Sequence, residues 1–178
     1  MEPVYEPSED SYLLAEAVEE LVHGKVLDMG TGSGIQAVTA ALKSNVREVT
    51  AVDVNPVALK RAEKRAESKG VRDKIKFVQS DLFHDISGKF DWIIFNPPYL
   101  PSEGKSDESS WAGGEKGYEV IDKFLEEARG YLNEDGSILI VYSSLTNLEI
   151  ERYDYNIEIL REKKLFFEKL LVVRLSHL

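Results

Sequence analysis

The chain has 178 residues, 43% of them apolar, and a formal charge of −10. That length suits one domain, 1–178, with a sizeable core, and the apolar share excludes a wholly disordered chain. The acidic balance argues against a broad grip on nucleic acid, and the lack of cysteine excludes disulfides and thiolate metal sites within the chain.

The first residues, Met1-Glu2-Pro3-Val4-Tyr5-Glu6, lack the basic stretch and apolar core of a secretion signal. No apolar run is long enough to span a bilayer, so a cytoplasmic setting is expected. Pro7-Ser8-Glu9-Asp10 then leads into an apolar-periodic helix over 12–21. Ser8 is placed to cap it and Ser11 to line whatever lies nearby. A first buried strand is expected at 25–29 and runs into Asp28-Met29-Gly30-Thr31-Gly32-Ser33-Gly34. A helix over 33–43 and a strand over 49–54 follow, with Asp53 near the strand's end. The helix over 56–69 opens with Pro56, a favourable first-turn residue, and stops at Gly70. Arg61, Arg65 and Lys69 recur on it every four residues, the spacing of a solvated face.

A third strand at 74–79 runs into Ser80-Asp81-Leu82-Phe83, and a fourth at 90–96 into Asn96-Pro97-Pro98-Tyr99. The stretch 101–116 is polar, rich in Gly and Ser, and reads as a substrate loop. A helix over 118–132 and a strand over 137–143 come next. Residues 148–164 look helical, although Tyr153, Tyr155 and Asn156 sit poorly there, and 168–175 looks like a final strand. Strands alternating with helices imply parallel pairing through right-handed crossovers.

Four motifs fall at the carboxyl ends of the first four strands, where open α/β sheets bind ligands. The glycine loop lets backbone approach a ligand closely, although glycines after a strand also form plain turns. It reads G-x-G-x-G with an acid two residues ahead, not the dinucleotide G-x-G-x-x-G. Asp53 lies about 20 residues beyond the loop, the spacing of a ribose-binding acid. A helix cap is its alternative role, but Asn55 can supply the cap. Asp81 alone is equally compatible with an ordinary loop acid; in register with the two motifs before it, a functional role is favoured. In Asn96-Pro97-Pro98-Tyr99, two prolines force a turn. The Asn96 side-chain carbonyl and the Pro97 backbone carbonyl can together accept both hydrogens of one NH2 group, beside the Tyr99 ring. His23, His84 and His177 are scattered without metal-ligand spacing, so no metal site is expected.

Three blocks resemble the HemK-like class I methyltransferases, in the short eukaryotic and archaeal branch acting on class-1 release factors. They are Tyr5-Glu6-Pro7-Ser8-Glu9-Asp10-Ser11, Asn96-Pro97-Pro98-Tyr99 and Trp111-Ala112-Gly113-Gly114-Glu115-Lys116-Gly117. The resemblance implies a Rossmann-like α/β fold of seven strands, order 3-2-1-4-5-7-6, with the last strand antiparallel. It implies S-adenosyl-L-methionine as cofactor, bound through Ser11, Asp28, Gly30, Gly32, Asp53, Asp81, Leu82 and Asn96. Asn96, Pro97 and Tyr99 are the implied catalytic residues, and Asn96, Pro97, Pro98, Tyr99, Trp111 and Gly113 the implied substrate-binding set. The implied partners are a release factor, methylated on glutamine, and a small zinc-binding activator in a 1:1 heterodimer along the third strand. The family's hairpin insertion between the last two strands is longer than the compact stretch 163–173 here. An adenine amino-methyltransferase, a protein lysine methyltransferase and a non-catalytic scaffold are the alternatives.

Overall fold

The computed structural model describes residues 6–98, 118–146 and 148–178. Seven strands form one sheet: β1 (Gly24–Met29), β2 (Val46–Asp53), β3 (Ile75–Gln79), β4 (Phe90–Phe95), β5 (Leu132–Ser143), β6 (Tyr155–Lys164) and β7 (Lys169–His177). Their spatial order is β3-β2-β1-β4-β5-β7-β6, the order that the family resemblance implies. The first five pair in parallel, and β7 runs antiparallel to both β5 and β6. The central strands are apolar on both faces because both are covered; Val26, Leu27, Ile93 and Ile94 are all fully buried.

Helices α1 (Glu9–Leu21), α2 (Ile35–Ala41) and α3 (Pro56–Ser68) cover one face, and α4 (Glu119–Ala128) the other. The first three contribute mainly small residues, such as Ala17, Ala37, Ala40 and Ala66, which bring backbone close to the sheet. On the opposite face Phe124 of α4 packs on Phe95, with ring centres 4.3 Å apart, and on Phe83 at 5.5 Å. The strand ends beneath these rings are thereby fixed on a rigid base.

Two local expectations fail. Residues 148–164 are not a helix but a short 3-10 turn, Ile150–Arg152, followed by β6. Tyr155, Ile157 and Ile159 alternate with Asn156 and Glu158, a strand period, and a long ladder to β7 overrides local helix preference. Tyr155 locks the register, its buried hydroxyl donating to the Leu125 carbonyl at 3.1 Å. Ser8 occupies the α1 N-cap position but makes no side-chain capping bond. Asp10 takes over part of that role by accepting the Ser11 N–H at 2.6 Å.

β3 is an edge strand with its expected faces: Ile75 and Phe77 pack with the α1–α3 layer and Val78 with the α4 layer. Gly34 marks where the glycine loop meets α3. Its φ is +79°, and a Cβ there would lie 2.7 Å from the Ala62 Cα. Neither backbone can retreat from a close-packed helix pair. Gly34→Ala should therefore destabilise the fold by roughly 2–4 kcal/mol, the left-handed strain and the overpacking acting together. The midpoint of urea unfolding would report it, and an unchanged midpoint would refute this account of the contact.

Candidate functional site

The loops after β1, β2 and β3 are stitched side by side by backbone bonds. Thr31 N–H donates to the Val52 carbonyl at 2.7 Å, and Ser80 N–H to the Asp53 carbonyl at 3.2 Å. These bonds bring Asp28, Gly30, Gly32, Asp53, Asp81 and Leu82 to one edge of the sheet. Asn96 follows β4 directly on the same edge, since β4 lies beside β1 with Phe95 opposite Met29.

Asp28 is fully buried beneath the glycine loop. One of its oxygens, Oδ2, accepts from the Thr31 hydroxyl at 2.6 Å and from the Ala37 N–H at 3.0 Å. It thus ties the end of β1 to the loop and to the first turn of α2, where a negative charge is also favoured by the helix dipole. Burial nevertheless pushes its carboxyl up to about 7; the Thr31 and Ala37 bonds pull downward, and the neighbouring Asp53 charge adds a smaller upward push.

Asp53 sits where Oδ2 accepts the Gly32 N–H and Oδ1 the Asn55 N–H, both at 2.9 Å. Asn55 does cap α3, accepting the Val57 N–H at 2.8 Å. Asp53 is not idle, however: it fixes the glycine loop. A carboxylate has about four acceptor positions, so capacity for a diol remains after these two bonds. Burial raises the Asp53 carboxyl above the ordinary carboxylate range, against the pull of its Asn55 and Gly32 bonds.

Asp81 is exposed. Beside it Leu82 has φ +46°, the one left-handed non-glycine among the described residues. Such a conformation costs on the order of 1–3 kcal/mol and persists only where neighbours impose it. Ser80 does so, donating from Oγ to the Leu82 carbonyl and accepting the Asp85 N–H, each at 3.0 Å. Pro97 is buried and Pro98 half-buried beyond Asn96. Asn96 Nδ2 donates to Ser11 Oγ at 3.2 Å, so the N-terminal motif and the motif after β4 meet across 85 positions of sequence. Tyr99, Trp111 and Gly113 lie outside the described residues.

Sequence reasoning missed three contributors. Arg65 does not belong to a solvated face: its Nε donates to the Ser33 carbonyl at 2.8 Å and holds the glycine loop. Arg61, one turn earlier, pairs with Glu6 of the N-terminal segment. Gln36 is buried and donates from Nε2 to the Ser11 carbonyl at 2.8 Å. No periodicity marks these roles, because each depends on a neighbour far away in sequence. Among the described residues no group of three or more His, Asp or Glu side chains could hold a metal, and no helix is long and apolar enough to cross a membrane.

A strand-loop-helix site of this kind fits a ligand with a diol and positive charge. A family model described as methyltransferase small domain matches residues 7–164. The chain belongs to this methyltransferase family. The putative protein N5-glutamine methyltransferase of Methanocaldococcus jannaschii is 38% identical over 96% of this chain and 90% of its own length. Methyltransferase HEMK2 of Mus musculus is 34% identical over 82% of this chain and 74% of its own. Among solved structures, that of the E. cuniculi Mtq2-Trm112 complex, responsible for methylation of the eRF1 translation termination factor, is 27% identical with a TM-score of 0.73, covering 98% of this chain and 99% of that one. The HemK-like resemblance is borne out by these relatives.

The enzyme is an S-adenosylmethionine-dependent methyltransferase. The carboxylates at this edge, Asp28, Asp53 and Asp81, are acceptors that suit a cofactor with a cationic ammonium, ribose hydroxyls and an adenine amino group. Gly32 leaves room beside them, since a Cβ there would meet only the Gly30 carbonyl, at 3.9 Å.

The raised Asp28 carboxyl has a consequence for stability. An unfolded aspartate titrates near ~3.9, so between there and about 7 the folded chain binds the extra proton. The contribution is full below ~3.9 and is lost as pH rises through about 7. Cofactor-free wild type should thus lose stability relative to Asp28→Asn across this window, with a slope of at most about 1.4 kcal/mol per pH unit. Denaturant unfolding at several pH values checks this; parallel curves for the two proteins would contradict it.

Proposed function

We propose that this enzyme transfers a methyl group to the side-chain amide nitrogen of a glutamine in a protein substrate, and that the substrate is a class-1 translation release factor. The observation that carries this reading is Asn96 at the carboxyl end of β4, its amide held on the Ser11 hydroxyl beside the glycine loop. The glutamine substrates of its relatives, and the eRF1 substrate named for the E. cuniculi complex, support the choice of nucleophile and partner.

The cofactor supplies an electrophilic methyl on a sulfonium. Asp53 accepts from the ribose hydroxyls with the capacity its two backbone bonds leave. Asp28 lies under the loop, so it acts on the cofactor's ammonium by charge and by shaping the loop, not by direct contact. Ser11, Gly30, Gly32 and Asn96 line the methionine side, and Asp81 and Leu82 take the adenine. A carboxamide nitrogen is a poor nucleophile because its lone pair is delocalised. Positioning therefore does most of the work, with roughly 7–11 kcal/mol as the upper range for good alignment. Asn96 Oδ1 and the Pro97 carbonyl accept the two amide hydrogens and aim the nitrogen at the methyl. The resemblance assigns Tyr99, Trp111 and Gly113 to the substrate side as well. The proton leaves after transfer, when the nitrogen has become acidic.

Asn96→Ala should cut labelled methyl incorporation into a release-factor glutamine peptide by roughly 10²–10³-fold, the scale for losing one preorganised hydrogen bond to the reacting group. Wild-type turnover in that variant would overturn the assignment.

The same reading includes a small zinc-binding subunit that pairs with β3 in a 1:1 heterodimer in the cytoplasm. The E. cuniculi relative was solved with Trm112, and β3 offers an unpaired backbone edge with Lys76 and Gln79 exposed. Co-expression with the host's small zinc-binding protein should give one co-eluting species by size exclusion, and Phe77→Asp should split it. Separate elution at micromolar concentration, with full activity in the chain alone, would dismiss the partner.

A further inference from the structure

Asn96 carries a carbonyl and an NH2 group of nearly equal shape. Only one of its two amide orientations offers an acceptor to a substrate N–H. The flipped orientation presents a donor to a donor and turns attraction into repulsion. An enzyme that relies on this acceptor must therefore fix which way the amide points.

The structure fixes it from the N-terminal helix. Asn96 Nδ2 donates to Ser11 Oγ at 3.2 Å. Ser11 Oγ in turn donates to Asp10 Oδ1 at 3.2 Å, and the Ser11 N–H donates to the same oxygen at 2.6 Å. An ionised carboxylate only accepts, so the single hydroxyl proton of Ser11 is committed to Asp10. What Ser11 Oγ turns toward Asn96 is a lone pair. A lone pair suits Nδ2 and repels Oδ1. Asp10 and Ser11 are 4% and 2% exposed, so bulk water cannot stand in as a substitute donor. Ser11 is also held from α2, where Gln36 Nε2 donates to its carbonyl at 2.8 Å. The amide oxygen of Gln36, Oε1, is buried without a partner, so the Nε2 bond to Ser11 is what the side chain does there.

We propose that Asp10 and Ser11 are positioning residues that set the Asn96 carboxamide with Oδ1 toward the substrate N–H, and that Gln36 keeps Ser11 in place. This rests on the reading of Asn96 as the acceptor for the substrate amide. It gives Ser11 a duty toward the nucleophile in addition to the cofactor contact that the family resemblance implies. Direction runs one way through the chain of bonds: carboxylate, hydroxyl, amide NH2, leaving the amide oxygen for substrate. Ser11→Ala removes the lone pair that holds Nδ2. Asp10→Asn supplies a side chain that can itself donate to Ser11 Oγ, which frees the hydroxyl proton to face Asn96 and admits the flipped amide.

The test uses the full chain with cofactor bound and two readouts. The first is hydrogen exchange of the Asn96 side-chain NH2 pair by NMR. It should be slow in wild type, fast in Ser11→Ala and slow again in Ser11→Thr. The second is turnover on a glutamine peptide at saturating cofactor. Ser11→Ala and Asp10→Asn should lose at least roughly tenfold in kcat, the factor corresponding to one ordinary hydrogen bond. Cofactor Kd by calorimetry should move less than about threefold in Asp10→Asn, a residue outside the cofactor-binding set, and Ser11→Thr should recover kcat. Unchanged Asn96 exchange in Ser11→Ala overturns the proposal. So does a Ser11→Ala defect that appears only in cofactor Kd and vanishes at saturation. If wild type methylates no glutamine peptide, the substrate reading fails, and the exchange comparison alone still decides the positioning role.

Discussion

A single buried carboxylate organises the functional edge of this protein. Asp28 ends β1 out of reach of solvent, and the Thr31 hydroxyl and the Ala37 N–H converge on one of its oxygens. An unsatisfied charge in that position would be prohibitive, so the glycine loop and the first turn of α2 must stay where they can donate. From there the order propagates by hydrogen bonds. Thr31 reaches back to β2, Gly32 donates to Asp53, and Ser80 donates to the Asp53 carbonyl. Each loop is held by the one before it, and the outermost can therefore sustain the left-handed turn at Leu82.

The two ends of the sheet use the same residue type for different purposes. At the opposite edge, the Asp91 carboxylate accepts the Lys25 N–H at 2.7 Å, the Asn133 Nδ2 at 2.6 Å and Arg47 at 3.1 Å. Its donors hold the carboxyl below the ordinary aspartate range although burial pushes the other way. Asp91 is thus an anion fully provided for, a joint between β1, β4 and β5. At the carboxyl edge the balance is reversed: Asp28 and Asp53 are shifted upward because burial outweighs the donors they have. The contrast sets the structural acid Asp91 apart from the two candidate site acids, whose perturbation is of the kind that clusters at functional sites.

The N-terminal helix is drawn into the site by opposing demands. Its apolar side, Leu14, Ala17 and Val18, is fully buried against the sheet. Its exposed rim is linked to β6 through Arg161 with Glu16 and Glu20, and Lys163 with Glu9, pairs that contribute little energy individually. Packing sets where α1 lies and so brings its first turn, with Ser11, to Asn96. On α3, Arg61 and Arg65 perform the matching task for the N-terminal segment and the glycine loop.

Much of this was legible in the sequence because it depends on local chemistry. The prolines after β4, the glycine triplet after β1, Asn55 ahead of Pro56 and the alternation of strands with helices each have a local cause, and each appears where the sequence placed it. The strand order followed from resemblance and is met in full. What failed was decided by partners distant in sequence. Residues 155–164 become strand because β7 offers a ladder, which outweighs a helical tendency. Arg65 leaves its apparent solvated face because the Ser33 carbonyl lies within reach. Ser11 meets Asn96, and Gln36 meets Ser11, only because α1 and α2 pack together on one face of the sheet. The sequence by itself determined which residue types stand at the ends of the strands. The tertiary structure alone decided which way their donors and acceptors point, because a hydrogen bond's direction depends on both partners and one partner is always far along the chain.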